Sequence, residues 1–245
     1  MSAPVRGETV TLVPTCLVEQ LRPSLEGAVV KVLEDHGAKV ELSRGSTCCG
    51  QPAWNVGLAE EARRVARTTL KALSRTSGPI IVPSGSCATM MREFWPELFR
   101  GTRQERDAKA VASRVREFSE YIAPLVGETG PSSEAVAYHD SCHMLRELGI
   151  KEQPRVLLAE AGTEVVEMQT GHLCCGFGGT FSVKLPEVSV AMADEKLNSV
   201  EETGTGTLVG CDLSCLVHLE GRAERRGMGL KVQHLAEYMV ERRGG

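Results

Sequence analysis

The tripeptide Cys-Cys-Gly stands at residues 48–50 and again at 174–176 of this 245-residue chain. About 0.03 copies would be expected by chance at this composition. Each copy follows a lone cysteine, Cys16 or Cys142, after thirty-one intervening residues, so the copies are offset by 126 throughout. A repeat of that period constrains the fold strongly. Each half must be a unit with its own core, and halves of this length are large enough to have one.

The surroundings repeat too. An apolar stretch precedes each lone cysteine: Val10, Leu12 and Val13 in one copy, Val136, Ala137 and Tyr138 in the other. These predict short buried strands. Helical patterns follow, Leu25 to His36 and Arg155 to Ala161, stopped at Gly37 and Gly162. Strands are then expected at Lys39–Leu42 and Thr163–Met168, with Cys-Cys-Gly on the loop after each. Further helices (Ala59 to Leu73; Pro186 to Glu201) and strands (Pro79–Val82; Thr207–Val209) lead to Cys87 and to Cys215. Both copies close on a helix containing Glu-Tyr, at 120–121 and 237–238. Alternating strands and helices predict an α/β fold of two homologous parallel-sheet lobes. The boundaries expected are 1–126 and 133–245, joined by a polar, turn-rich linker at 127–132.

Nine cysteines are the anomaly in an otherwise ordinary globular composition. The N-terminus has no apolar signal core and no apolar run is long enough to span a bilayer. A cytoplasmic location is therefore expected, where structural disulfides are rare. The net charge of −4 carries no basic surplus to suggest nucleic acid or an anionic membrane. Cysteines at this density in such a chain point to metal ligands or redox thiols.

Loops at the carboxyl ends of parallel strands are where α/β sheets place their sites. They would gather Cys16, Cys48, Cys49 and Cys87 in one lobe, and Cys142, Cys174, Cys175 and Cys215 in the other. Thiolates suit zinc and iron–sulfur clusters, and the usual pair of Cys-x-x-Cys zinc knuckles is absent. Adjacent cysteines in extended chain point to opposite faces, which suits two metal atoms of one cluster better than a single ion. Gly50 and Gly176 would let the backbone turn beside the cluster. Buried small apolar cysteines, and thiol–disulfide exchange at the vicinal pairs, are the other readings. Cys211 has Pro83 as its counterpart and is expected to be peripheral. His139 and His143 flank Cys142 and are possible ligands or proton relays. Val13 and Leu17 stand at the equivalent places of the first copy, so the repeat itself requires no histidine.

Longer phrases carry a family likeness: Cys48-Cys-Gly-Gln-Pro-Ala-Trp54, Pro83-Ser-Gly-Ser-Cys87, Ser141-Cys-His-Met144, Cys174 through Lys184, and Val200-Glu-Glu-Thr-Gly204. Over nearly its whole length the chain resembles the lactate utilization protein A family (LutA/YkgE). That family belongs to the cysteine-rich CCG-domain proteins, alongside a component of heterodisulfide reductase and the iron–sulfur component of glycolate oxidase. The resemblance implies a subunit of a system oxidising L-lactate to pyruvate and not active alone. Its partners would be a ferredoxin-type iron–sulfur protein (LutB-like) and a third protein (LutC-like). It also implies iron–sulfur clusters, of the non-cubane [4Fe–4S] type by analogy. The wider CCG pattern ends in Cys-x-x-Cys. Ser84 and Asp212 stand where the first cysteine of that pair would be, so an oxygen ligand, a smaller cluster, or zinc in one or both lobes stays open.

Overall fold

The computed structural model describes residues 4–127 and 131–244, so 128–130 of the expected linker lie outside the described residues. The chain divides into two compact units, Met1–Leu125 and Val126–Gly245. The first holds β1 (Thr9–Leu12), β2 (Lys39–Leu42), β3 (Ile80–Val82) and β4 (Val115–Glu117). The second holds β5 (Glu134–His139), β6 (Thr163–Val166), β7 (Thr207–Gly210) and β8 (Lys231–His234). All pairings are parallel, and the strand orders are β2-β1-β3-β4 and β6-β5-β7-β8. The same order in both units is the three-dimensional form of the sequence repeat. It gives the duplicated α/β architecture that the alternation of strands and helices predicts.

The central strands are apolar on both faces, as a parallel sheet covered by helices requires. Val10 and Leu12 of β1 and Ile80, Ile81 and Val82 of β3 are fully buried. So are Leu208 and Val209 of β7. The helices supply matching stripes: Leu25, Val29, Val32 and Leu33 lie on the buried face of helix Ser24–Asp35. Its end is set by Gly37 at φ 88°, a conformation that an L-residue adopts only under strain. In each unit the order reverses beside the first strand, with β2 on one side of β1 and β3 on the other. That is the switch point where α/β sheets open a crevice at the strand ends.

The fourth strand of each sheet, β4 and β8, was not expected from the sequence. Val-Arg-Glu and Lys-Val-Gln-His are too short and too charged to declare themselves by pattern. The expected Glu-Tyr helices follow these strands directly, at Phe118–Ile122 and Leu235–Gly244. The structure explains the repeated Glu. Glu120 accepts the N–H of Glu117 at 3.3 Å, and Glu237 accepts that of His234 at 3.1 Å. Each closes the joint between strand and helix, half of a capping box.

Glu117 completes that box in the first unit by accepting the Glu120 N–H at 3.3 Å, and it also accepts the Ser119 N–H at 2.7 Å. It is fully buried, and burial outweighs these hydrogen bonds, pushing its carboxyl up from 4.5 to about 7. The folded chain therefore keeps a proton that the unfolded chain releases between pH 4.5 and 7. Stability contributed by this group is present below pH 4.5 and is lost as pH rises to about 7. The expected loss is of the order of 3 kcal/mol. Urea denaturation of Glu117→Gln across this window should show the variant gaining on the natural chain by about that amount. A gap independent of pH would contradict the assignment.

Candidate metal centres

The lone cysteines open short helices: Cys16 is the first residue of Cys16–Leu21, and Cys142 the first of Cys142–Arg146. Cys87 lies in Gly85–Thr89 and Cys215 in Leu213–Arg225, again within the first turns. Only the vicinal pairs sit in true loops, a correction to the expectation of loops throughout. Backbone N–H groups at a helix start favour the thiolate.

In the first unit the four sulfurs form a chain of contacts. Cys16 hydrogen-bonds Cys48, Cys48 hydrogen-bonds Cys49, and the Cys49 and Cys87 sulfurs are 3.4 Å apart. The second unit repeats it. Cys142 lies 4.0 Å from Cys174, Cys174 hydrogen-bonds Cys175, and Cys175 hydrogen-bonds Cys215. The residues singled out by spacing are thus brought together, four in each unit. All nine cysteines are free thiols.

One geometry holds both vicinal pairs. Gly50 has φ 90° and Gly176 φ 91°. A Cβ on Gly50 would stand 2.6 Å from the Ala62 carbonyl oxygen, and one on Gly176 2.6 Å from that of Ser189. The glycine therefore packs on the first turn of the following helix, Ala59–Leu73 or Pro186–Glu202. That close approach, to a helix rather than to a cluster, is what the glycine permits. The turned backbone donates the N–H of Gly50 to Cys48 and that of Gly176 to Cys174, each at 3.4 Å. Side chains lock the first loop further: Trp95 Nε1 donates to the Cys49 carbonyl at 2.9 Å, and Thr69 Oγ1 donates to that of Cys48 at 3.2 Å. In the second unit Ser189 Oγ donates to the Gly176 carbonyl at 2.8 Å.

The thiols do not share charge evenly. Hydrogen bonds from Cys16, Cys49 and the Gly50 N–H pull Cys48 down to about 3. Cys142, Cys175 and the Gly176 N–H pull Cys174 down to about 2. Donating to that thiolate, with burial and charge repulsion added, holds Cys16, Cys49, Cys142 and Cys175 well above the usual thiol range. Cys215 accepts from Cys175 yet is also raised, by burial. Without a cation the most acidic sulfur of each set carries the charge, and its neighbours stay protonated. Gathering sulfurs so closely suits a cation that compensates several thiolates at once. The donor set is soft, which fits iron–sulfur clusters and zinc.

Ser84 and Asp212 hold helix ends. Ser84 caps Gly85–Thr89, accepting the Cys87 N–H at 3.4 Å, and Asp212 caps Leu213–Arg225, accepting the Ser214 N–H at 3.2 Å. N-caps at these points set the orientation of the last cysteine in each set. Cys211 is fully buried.

The second centre has a polar wall that the first lacks. His139, the last residue of β5, is 1% exposed, and its ligand nitrogen lies within 4.8 Å of the Cys175 and Cys215 sulfurs, as these do of each other. Lys196 is also 1% exposed; its ammonium donates to the carbonyls of Thr170 and Gly171. Burial lowers Lys196 to about 8, and burial with the Lys196 charge lowers His139 to about 3, so the imidazole is neutral. Arg155 clamps Asp140 through two 3.1 Å hydrogen bonds, two residues before Cys142. The sequence flagged His139, beside Cys142, as a possible ligand or proton relay. Lys196 and Arg155 escaped it, because each is distant in sequence from the groups it meets.

The cysteine-rich domain family (CCG) matches residues 10–92 and 136–220, one match in each unit. The chain is 41% identical over 238 residues to lactate utilization protein A of Anoxybacillus flavithermus (strain DSM 21510 / WK1), covering 95% of this chain and 99% of that protein. It is 42% identical over 238 residues to lactate utilization protein A of Exiguobacterium sp. (strain ATCC BAA-1283 / AT1b), covering 95% and 97%. Among solved structures, a hypothetical protein from Helicobacter pylori has a TM-score of 0.68 at 12% identity, covering 99% of this chain and 50% of that one. That likeness concerns the fold alone.

Gly50→Ala and Gly176→Ala should each destabilise the chain by about 1–3 kcal/mol, since the new Cβ meets backbone at a left-handed φ. Gly221→Ala is the control: it lies inside helix Leu213–Arg225, with nothing within 4 Å of a new Cβ. It should be neutral or stabilising by up to about 1 kcal/mol. Chemical denaturation of the three variants checks the contrast.

Proposed function

Because the chain belongs to the lactate utilization protein A family, matched over 95% of its length, we propose that it is an iron–sulfur subunit of a multi-protein system that oxidises L-lactate to pyruvate. The observation that carries this reading is the gathering of four sulfurs at the strand ends of each unit. Cys16, Cys48, Cys49 and Cys87 would hold one cluster, and Cys142, Cys174, Cys175 and Cys215 the other. When bound, such clusters accept and release electrons one at a time.

Oxidising lactate removes a hydride equivalent, which ordinarily passes to an organic acceptor such as flavin or nicotinamide. The sequence carries no phosphate-binding glycine motif for either, so the hydride step is assigned to a partner or to an unusual cluster. A ferredoxin-type iron–sulfur partner and a third protein complete the proposed system, and a cytoplasmic setting suits it. Among the described residues no helix is long and apolar enough to cross a membrane. Soon after the second vicinal pair, Val183, Leu185 and Val188 are exposed at 80%, 50% and 50%. Exposed apolar side chains this near in sequence to a cysteine pair support docking of a relay protein on this segment.

The second reading is a zinc-stabilised scaffold, since four thiolates also make a complete tetrahedral zinc shell. Metal and sulfide analysis of anaerobically purified protein, with its visible spectrum, separates the two. Iron, sulfide and broad absorption are expected; zinc and a colourless protein would overturn the cluster reading. Cys49→Ser and Cys175→Ser should each lower metal content by emptying one unit's site, whereas Cys211→Ser should leave it unchanged. Equal losses from Cys211→Ser and Cys215→Ser would place Cys211 among the ligands. Assayed with L-lactate and an artificial acceptor, the metal-loaded chain should be inactive alone and gain activity when both partners are added. Substantial turnover by the lone chain would make it the dehydrogenase itself.

A further inference from the structure

The two centres share their cysteines but not their surroundings. His139 ends the central strand of its sheet, and both of its ring nitrogens are buried with no hydrogen-bond partner among the described residues. An imidazole buried without a partner loses its hydration and gains nothing in return, so such groups are rare in folded proteins unless something binds them. Its ligand nitrogen lies within 4.8 Å of the sulfurs of Cys175 and Cys215, and those sulfurs lie within the same distance of each other. Ligand atoms around one tetrahedral ion with bonds of about 2.0–2.3 Å stand roughly 3.3–3.8 Å apart, so a contraction of the group brings all three onto one metal.

The residue beside His139 differs between the units too. His139 pairs across the sheet with Gly210, where an added Cβ would stand 3.7 Å from the His139 Cβ and 3.1 Å from Leu216. In the first unit the corresponding residues are Val13 and Val82, both fully buried. One unit thus fills this corner with two valines, and the other with a histidine beside a glycine. A core position with no other task would keep the hydrocarbon pair, since valines fill it without an unsatisfied polar atom. Lys196 adds to the contrast. It lies buried near the second set of thiols, on the helix that packs against Gly176, and Thr69 holds the matching helix position in the first unit.

We propose that His139 is a nitrogen ligand of the second metal centre, which therefore has a mixed sulfur–nitrogen donor set, while the first is ligated by sulfur without histidine. This rests on the reading that the cysteines hold metal, though not on which metal they hold. A neutral imidazole is a weaker electron donor than a thiolate and adds no negative charge, so its presence gives the second centre a different electronic character from the first.

The test compares the natural chain with His139→Val, which recreates the corner of the first unit, and with His143→Asn as a control at the other histidine beside Cys142. If the purified protein carries iron, it is grown with 15N-histidine, reduced, and studied by pulsed EPR. If it carries zinc, X-ray absorption reads the imidazole shell. The expected result is a histidine nitrogen on the metal in the natural chain and in His143→Asn, and its loss in His139→Val with the fold retained by circular dichroism. Should His139→Val not fold, His139→Gln keeps a polar group without the imidazole and should lose the same signal. A sulfur-only shell in the natural chain, or a histidine signal that survives in a folded His139 variant, would overturn the assignment. Metal identity, measured separately, decides the iron–sulfur reading, and a protein with no bound metal would overturn both.

Discussion

Gly50 and Gly176 bring a bare Cα against a helix carbonyl, and both candidate centres depend on that contact. A left-handed residue at this point reverses the chain directly after two cysteines. The sulfurs, which extended backbone would send to opposite faces, then turn toward a shared site. Neighbouring thiols that donate to the first sulfur of each pair, Cys48 or Cys174, make it strongly acidic, and the same turn adds an N–H aimed at it. A side chain on the glycine would displace the helix or the turn, and the two sulfurs would move with it.

The rest of each unit supports this turn. The parallel sheet sets the ends of its first and third strands side by side, with the edge strand that leads to the vicinal pair next to the first. Short helices begin there, and their opening turns present Cys16 and Cys87, or Cys142 and Cys215. Caps at Ser84 and Asp212 fix the last of these. These two residues replace the thiol of a longer family pattern with an oxygen committed to a backbone N–H. Their place in the structure is that of helix caps.

Duplication supplied two similar cradles, and later substitution made them differ. Trp95 and Thr69 hold the first through hydrogen bonds to its cysteine carbonyls; His139, Lys196 and the Asp140–Arg155 pair stand by the second. Low dielectric strengthens the influence of a buried ammonium or imidazole on neighbouring sulfur, so a few exchanges suffice to give two sites of one ancestry different electronic character.

The duplication, the parallel α/β class and the cysteines to watch were legible in the chain alone, because each is a pattern in short range or at a fixed offset. Helix Ala59–Leu73 and strand Lys39–Leu42 came out with their observed bounds for the same reason: one has a strong apolar stripe, the other is bracketed by glycine-stopped helix and turn. Strands β4 and β8 stayed hidden, since three or four residues with charged members are strands only because a neighbouring strand offers hydrogen bonds. The helical setting of Cys16 and Cys142 was hidden too, as helices of five or six residues owe their existence to packing rather than propensity. Which polar groups face the sulfurs was decided by tertiary structure alone. Lys196 lies more than twenty residues from Cys174 and Cys175 along the chain, yet reaches their loop. What distinguishes His139 is the loss of its water without the gain of a partner, and burial of that kind is set by the folded surroundings of a residue.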